Sequence, residues 1–180
     1  MSDPFLNLAT LWSHVWDRLD RGVAQSDDPF RFVTLATVGP LGAQARTVGL
    51  RAADRDAMTV EVHSDLRTAK VRAVEHDPRG EILLWDQATQ LQVRLAVHLT
   101  LIPADQARWA RIPPEARLNY GTDPAPGTPV DRPEVVTRTP QRDRFVALSG
   151  QVERMDVVSL AHDPHRRAKF DGPSGRWVAP

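Results

Sequence analysis

Two neighbouring segments decide the fold: residues 45–53, which read ARTVGLRAA, and residues 58–63, which read MTVEVH. Both are rich in apolar and β-branched residues, and the second alternates apolar and polar side chains, as a strand does. Four more runs of this kind follow or precede them: 30–38 (FRFVTLATV), 81–86 (EILLWD), 91–102 (LQVRLAVHLTLI) and 144–154 (RFVALSGQVER). Six such runs with few helices between them predict a mainly β fold, a six-stranded antiparallel barrel, rather than a parallel sheet.

The N-terminal residues 1–22 predict a helix. Asp3 is a suitable N-cap, Pro4 suits the first helical position and Gly22 is the expected end. Apolar side chains recur at steps of three and four, which makes one buried stripe. The stripe consists of Leu8, Leu11, Trp12, Val15, Trp16 and Leu19.

Two further helices are predicted over residues 65–76, capped by Asp65, and residues 103–112. Residues 120–142 contain five prolines and little periodicity. They are expected to form an ordered loop or arm, so residues 1–180 are treated as a single domain.

The composition narrows the classes of function. Lysine plus arginine and aspartate plus glutamate each number 23, so the formal net charge is zero. Nucleic acids and anionic membranes favour a basic excess, so neither is expected as a partner. The absence of cysteine excludes disulfides, thiolate metal sites and cysteine nucleophiles. No apolar run approaches the ~20 residues of a membrane helix, and the first residues lack signal-peptide features. A soluble cytoplasmic protein is expected.

The junction between the third strand and the second helix has the residues of a phosphate site. Here His63, Ser64 and Thr68 precede Lys70, which is placed one turn inside the predicted helix. Free backbone N–H groups and the positive end of a helix dipole favour an anion, and two hydroxyls and an ammonium group add donors. Ordinary helix capping beside a surface lysine is the alternative.

The second strand presents different residues on its two faces. Arg46, Val48 and Leu50 share one face, and Thr47, Gly49 and Arg51 share the other. A glycine in a central strand indicates that something approaches the backbone closely. The alternative is a bulge at Gly49 with two solvated arginines.

Two other groups of polar residues are candidates. Gln92 and Arg94 share a face of the fifth strand, and the Gln92 amide offers a donor and an acceptor to the polar edge of a heterocycle. A basic cluster follows near the end of the chain, but its spacing matches no recognised metal-ligand pattern, so no metal is expected. Its members are His162, His165, Arg166, Arg167 and Lys169.

Taken together, these segments resemble the pyridoxamine 5'-phosphate oxidase superfamily. The motifs that carry the resemblance are R-T-V-G-L-R at 46–51, H-S-D at 63–65, T-A-K at 68–70 and Q-V-R at 92–94. They occur in the family's order, and the similarity extends over residues 30–180.

The resemblance implies an FMN-binding split barrel that works as a homodimer, with the cofactor in clefts between the subunits. By position, Arg46, Lys70, Ser64 and Thr68 would hold the phosphate. The backbone of residues 48–50 would flank the isoalloxazine ring. The full set of cofactor residues implied is Arg46, Thr47, Val48, Gly49, Leu50, Arg51, His63, Ser64, Thr68, Lys70, Gln92 and Lys169, with Lys169 contributed by the second subunit.

The resemblance also implies an FMN-dependent oxidoreductase acting on a small molecule, with Arg51, His165 and Arg167 as candidates for substrate contact. Some family features are missing. Ala69 replaces a second phosphate-binding arginine, no tryptophan stands at 159–160, and residues 100–103 lack the substrate-phosphate arginine and serine. A flavin carrier or sensor, a haem-utilisation relative, and a deazaflavin-dependent reductase therefore remain alternatives.

Overall fold

A computed structural model describes residues 3–40 and 42–180. Eight strands form one antiparallel sheet, and a further pair makes a small separate ladder. The strands are β1 (Phe32–Gly39), β2 (Gly42–Asp54), β3 (Thr59–Asp65), β4 (Arg79–Asp86), β5 (Leu91–Pro103), β6 (Thr122–Asp123), β7 (Thr137–Arg138), β8 (Phe145–Ser159), β9 (Arg166–Asp171) and β10 (Ser174–Val178).

Six of these strands close into a barrel. Going round it, β1 pairs with β4, β4 with β5, β5 with β8, β8 with β3, β3 with β2, and β2 with β1. All these pairings are antiparallel, so the predicted six-stranded antiparallel barrel with flanking helices is confirmed. Each predicted strand corresponds to one strand of the barrel, with ends that differ by a few residues.

The core lies inside the barrel. Along β5, Leu91, Val93, Leu95 and Val97 alternate inward and are buried, as the period of two predicts. Each such side chain stabilises the fold by about 1.5–3 kcal/mol when it leaves water. The residues between them on β5, Gln92, Arg94 and Ala96, point outward and are half-buried.

The N-terminal helix differs from the prediction at both ends. Helix α1 spans Leu8–Ala24, and its N-cap is Asn7, whose side chain accepts a hydrogen bond from the Thr10 N–H at 2.8 Å. Asp3 and Pro4 instead begin a separate 3-10 turn, Pro4–Leu6. Gly22 does not end the helix. A Cβ atom there would lie 2.8 Å from the Phe30 backbone, so this glycine permits close packing.

The predicted apolar stripe of α1 is confirmed, since Leu11, Val15, Trp16 and Leu19 are fully buried. Periodicity did not indicate that Arg18 is buried between them. Its guanidinium donates to Asp86 at 2.8 Å and lies 3.6 Å from Asp28. These carboxylates are the compensation that a buried charge requires.

The remaining helices are α2 (Ala69–His76), α3 (Gln106–Arg111) and α4 (Pro114–Arg117). Helix α2 begins four residues later than predicted, because Asp65 still belongs to β3. The Asp65 carboxylate accepts from the Arg67 N–H and side chain rather than capping the helix, and Thr68 takes the N-cap position. Within the described residues, no helix is long and apolar enough to cross a membrane.

The proline-rich residues 120–142 lie against the barrel. Their strands β6 and β7 pair with each other, and the Arg67 guanidinium donates to the Thr122 carbonyl at 2.7 Å. Tyr120, at the start, is buried with Ile112 and Phe145 in a second small core. This core fixes α3 and α4 beside the beginning of β8.

The N-terminal segment is tied to the turn before β9. His162 bonds to the Ser159 hydroxyl at 2.6 Å through Nδ1 and to the Asp3 carboxylate at 3.1 Å through Nε2. The three residues have the connectivity of a Ser-His-Asp triad. However, Ser159 is buried and Arg166 also holds Asp3, at 2.6 Å, so the group serves as a tether.

Candidate functional site

The six strands close the barrel, but β2 and β3 pair over only part of their length, so the barrel is open between them at one end. Their ladder begins at Asp54 and Thr59 and ends at the pair Leu50 and Val62. Beyond that pair, β2 continues in its ladder with β1 and β3 continues in its ladder with β8. The backbone edges of residues 43–49 and 63–65 therefore face each other without pairing, and this opening is called the split.

Four of the predicted phosphate residues meet at the split. The Ser64 hydroxyl lies 2.9 Å from the Thr68 hydroxyl and accepts a hydrogen bond from the Lys70 ammonium at 3.1 Å. Arg46, from the opposite edge, donates to the Leu35 carbonyl at 3.1 Å and to the Thr37 hydroxyl at 2.8 Å. The hydrogen-bond partners of Arg46 and Lys70 are all uncharged, and they include the Gln44 amide oxygen, which accepts from Arg46 at 3.3 Å.

The two cations of the split destabilise each other. Burial lowers the pKa of Lys70, and the nearby charge of Arg46 lowers it further, which outweighs the attraction of Asp65. Burial also lowers the pKa of Arg46. Neither side chain forms a salt bridge with a described residue, and Asp65 is already bound by Arg67. A dianion placed here would neutralise both charges and accept from the hydroxyls.

The opposite face of β2 carries Thr47, Gly49 and Arg51. A Cβ atom at Gly49 would lie 2.5 Å from the Arg51 guanidinium, so the group that approaches this glycine within the chain is Arg51. The register of β2 against β3 shifts between Leu50 and Ala52, which makes Arg51 the extra residue of a bulge. The bulge anticipated at Gly49 is thus two residues further on. Val48 and Leu50 are buried in the barrel core.

His63 is turned away from the phosphate residues. It alternates with Ser64 along β3, and its ring bonds through Nε2 to the Glu61 carboxylate at 2.8 Å. Glu61 in turn accepts from the Arg108 side chain at 2.8 Å. Burial acts to raise the pKa of Glu61, but the hydrogen bonds from His63 and Arg108 outweigh it and hold the pKa below its ordinary value.

A cavity of about 280 Å³ adjoins this group, between β2, β3 and the helices α3 and α4. Its charged lining is mostly cationic. Burial raises the pKa of Tyr120, and the nearby Arg51 opposes this only in part. The lining is completed by Val23, Arg31, Ala52, Glu61, His63, Arg108, Arg111, Ile112, Pro113 and Ala116.

Gln92 and Lys169 lie elsewhere on the same chain. Gln92 is on β5, separated from β2 by β4 and β1, and its neighbours across the sheet are Trp85 and Val158. Lys169 is on β9, opposite Asp156 and Arg176. One chain therefore does not bring these two residues to the split.

His165 and Arg167, two of the predicted substrate residues, border one shallow surface pocket with Trp177. Arg167 already binds the Asp156 carboxylate through two hydrogen bonds, of 2.8 and 2.6 Å. The third candidate, Arg51, lies in the cavity instead. Among residues 3–40 and 42–180, no three histidine, aspartate or glutamate side chains lie close enough to hold a metal ion.

Glu61, Arg108 and Tyr120 were missed from the sequence. The spacing of Glu61 and His63 puts both on one face of a strand, which is a local signal that pairs them. No local signal links β3 to Arg108, which lies 47 residues further along the chain. Only the packing of α3 against the barrel brings it into place.

The chain matches known proteins in both sequence and structure. The family model described as "Pyridoxamine 5'-phosphate oxidase, FMN-binding domain" matches residues 13–103, just over half of the 180 residues. No curated protein matches the sequence. A pyridoxamine 5'-phosphate oxidase-related, FMN-binding protein of Nostoc punctiforme is 26% identical with a TM-score of 0.75, and the alignment covers 93% of this chain and 96% of that one.

Two more distant structures share the fold. PhzG from Burkholderia lata, in complex with tetrahydrophenazine-1-carboxylic acid, is 20% identical with a TM-score of 0.72 over 95% of this chain and 91% of that one. General stress protein 26 from Bacillus anthracis is 11% identical with a TM-score of 0.58 over 92% and 99%. With the family model matching across the split and its phosphate residues, the chain belongs to the pyridoxamine 5'-phosphate oxidase FMN-binding domain family.

Proposed function

We propose that this protein is an FMN-dependent oxidoreductase in which the split between β2 and β3 holds the FMN phosphate. The observation that carries the proposal is the pair of cations Arg46 and Lys70, which have no carboxylate partner among the described residues. Beside Lys70, the Ser64 and Thr68 hydroxyls donate to the Asp65 carbonyl within the chain, and they could rotate to donate to a bound anion instead. When bound, FMN would supply a ring that accepts and returns electrons.

The residues of the split suit a phosphate ester better than a neutral ligand. A phosphate offers three acceptor oxygens and up to two negative charges, which match two cations and two hydroxyls. On β2, residues 48 and 49 pair with β1 on one side only, so their other backbone edge, at the split, is left for a flat ring. Ala69 leaves the first turn of α2 without the additional cation of the family pattern, so we expect moderate rather than very tight binding of FMN.

We further propose that two copies of the chain complete the site. Large apolar side chains are exposed on the outer face of β1 and β4, with Phe32 61% and Trp85 38% exposed. Trp85 lies directly across from Gln92. Covering this surface with a second copy would remove apolar area from water and would bring residues of a partner, including Lys169, toward the split.

Comparing FMN with riboflavin tests the phosphate site, because riboflavin has the same ring without the phosphate. We expect FMN to bind at least ~30-fold more tightly, since charged hydrogen bonds contribute about 1.5–3 kcal/mol each. Flavin fluorescence measures both affinities. In Arg46→Gln the advantage of FMN should nearly vanish, whereas Arg138→Gln, a change of an exposed arginine on β7, should keep it.

Equal affinities for FMN and riboflavin in the unchanged protein would contradict the phosphate assignment. A colourless protein that takes up no added flavin would overturn the cofactor assignment as well. Dilution experiments on the loaded protein, by analytical ultracentrifugation, test the homodimer: we expect flavin release and dissociation to occur over the same concentration range.

A flavin-binding protein without turnover is the second candidate. The observation that favours it is the engagement of Arg167 by Asp156, which leaves that substrate candidate neutralised. Peroxide production under air, with pyridoxamine 5'-phosphate and other small amines or alcohols as reductants, separates the two functions. Steady peroxide release supports the oxidoreductase; reduction without release supports a carrier or sensor.

A further inference from the structure

The group formed by Glu61, His63 and Arg108 has the features of a proton-handling site. The His63 side chain is only 10% exposed, yet it borders the cavity between β2, β3 and the helices α3 and α4. Its Nε2 bonds to Glu61, and its Nδ1 has no hydrogen-bond partner among the described residues. With Nε2–H donating to the carboxylate, Nδ1 presents a free lone pair.

The environment of Glu61 keeps it ionised and fixed. One carboxylate oxygen is occupied by His63 and the other by Arg108, both at 2.8 Å. Arg108 is itself anchored by Asp105 at the start of α3. A carboxylate held in this way orients the imidazole and stabilises its charged form when a proton arrives.

The rest of the cavity selects an anion. Burial first, and then the charge of Arg51, lower the pKa of Arg31. Arg111 adds a third cation, and among the described residues none of the three forms a salt bridge. Tyr120 remains a neutral phenol that can donate a hydrogen bond. The charged and titratable groups around His63 are thus Arg31, Arg51, Glu61, Arg108, Arg111 and Tyr120.

We propose that His63 accepts a proton from a small organic anion bound in this cavity, with Glu61 as its positioning residue. The inference rests on the proposed function in one respect, since it assigns to that oxidoreductase a substrate with an acidic group and an O–H or N–H group. In the step, the O–H or N–H bond breaks and its electron pair stays on the substrate heteroatom. The proton forms a new bond at Nδ1, so the imidazole becomes an imidazolium beside Glu61.

The position of His63 relative to the split supports a role next to the cofactor. Ser64, which bonds to Lys70, is the next residue along β3 and points to the opposite face. A ligand in the cavity and a phosphate in the split would therefore lie on either side of the same strand end. His162, which tethers the N-terminal segment, by contrast has both ring nitrogens bonded within the protein.

The test uses the full-length protein without flavin and the probe 4-hydroxy-3-nitrobenzoate. This compound carries a carboxylate for the arginines and a phenol whose ionised form alone absorbs strongly in the visible. At a pH about one unit below the pKa of the free phenol, where roughly a tenth of the free compound is ionised, we expect binding to increase the ionised fraction several-fold. In Arg51→Gln the probe should bind at least ~10-fold more weakly, because one charged contact is lost.

The decisive variant is His63→Gln, compared with His98→Gln, which changes an exposed histidine on β5. We expect His63→Gln to bind the probe within a few-fold of the unchanged protein but to lose the added ionisation, while His98→Gln keeps it. If His63→Gln fails to fold, as judged by circular dichroism, Glu61→Gln decides in its place, with the added ionisation expected to fall several-fold.

Two results would overturn the inference. One is an ionised fraction that is the same in His63→Gln and in the unchanged protein, which would assign the ionisation to the arginines alone. The other is no binding of the probe by the unchanged protein. The probe is measured without flavin. If the protein ionises the bound phenol but does not bind FMN, only the cofactor assignment is contradicted.

Discussion

Two regions of this barrel contain clustered cations, and they differ in how those cations are neutralised. On the outer face of β5, β8 and β9, Arg94 binds both oxygens of Glu81, at 2.6 and 2.9 Å, and Arg167 binds both oxygens of Asp156. At the split, Arg46 and Lys70 donate only to hydroxyl, carbonyl and amide oxygens.

The difference supports our proposal that the split, rather than the outer face, binds an anion. Neutral oxygens satisfy hydrogen-bond donors but do not cancel charge, so half-buried cations at the split raise the free energy of the empty protein. A carboxylate from the chain would remove that cost and would also exclude an anion. Arg94 and Arg167 of the outer face are neutralised within one chain, whereas Arg46 and Lys70 form no salt bridge with a described residue and would be neutralised by a bound anion.

The first test concerns another cation, Arg18, and is expected to have the largest effect on stability. Arg18 is fully buried and neutralised by Asp86 and Asp28. Replacing one partner in Asp86→Ala leaves a buried charge poorly compensated, so we expect a loss of about 3 kcal/mol in the free energy of unfolding. Urea denaturation measures it. The control, Asp20→Ala on the exposed side of α1, should change stability little; a similar small loss in Asp86→Ala would mean that Arg18 needs no such partner.

The second test asks whether Lys70 stabilises or destabilises the flavin-free protein. Lys70→Gln removes a cation that Arg46 repels, so the flavin-free protein should be at least as stable as before, with an equal or higher Tm. The same change should weaken FMN binding by at least ~10-fold. Thermal unfolding and flavin fluorescence measure the two quantities.

The matched control for Lys70→Gln is Arg72→Gln, an exposed cation on the same helix. It should leave FMN affinity unchanged. A fall in the stability of flavin-free Lys70→Gln would show that Lys70 has a structural role instead, and the contrast between the split and the outer face would then lose its basis.

How far the sequence predicts this molecule depends on whether the signal is local. Strand β5 was predictable because its own alternation puts Leu91, Val93 and Leu95 inside. The hairpin of β9 and β10 was missed. Only Ala168 and Phe170 of β9 are buried, and the strand depends on pairing with β8 rather than on its own pattern. The start of α1 was misplaced because Asp3 and Asn7 are both good caps, and the sequence alone does not choose between them.

The same limit applies to the candidate site. The phosphate residues Ser64, Thr68 and Lys70 lie within seven positions and share a recognisable pattern, so they were proposed from the sequence. Gly49 correctly indicated a close approach, but which group approaches it was a tertiary matter, and within the chain it is Arg51. The pairing of Glu61 with Arg108 joins two segments that are distant in sequence, so no local pattern predicts it.

A third test removes a carboxylate from the ion pairs of the outer face. Asp156→Asn removes the charge that neutralises Arg167 and, at 3.7 Å, part of that beside Arg94. Because these groups are partly exposed to water, we expect a loss of about 1–2 kcal/mol in the free energy of unfolding, less than for the buried Asp86. The loss should shrink at high salt, which screens the repulsion left behind. An increase in stability would show that Arg167 and Arg94 do not need the Asp156 charge, which would contradict the role given to these ion pairs.

The fourth test follows acid stability at Glu61. Its pKa lies below the ordinary 4.5, so its stabilising contribution is complete above that pH and is lost as the pH falls through the pKa of the folded protein. Glu61→Gln should be less stable by about 1 kcal/mol at neutral pH. The difference in Tm between the two proteins should narrow on acidification below 4.5. A difference that stays constant with pH would mean that the charge of Glu61 does not contribute.

The smallest effect is expected where an ion pair is complete but exposed. A side-chain hydrogen bond from Arg79 is the main cause that lowers the pKa of Asp77 to about 2, yet the Arg79 side chain is 80% exposed. Water and salt screen such a pair, so Arg79→Gln should leave Tm unchanged within error. The pKa of Asp77, followed by NMR, should nevertheless return toward its ordinary value. A clear fall in Tm would show that an ion pair contributes to stability even when water surrounds it, and the small effect expected for exposed pairs would be wrong.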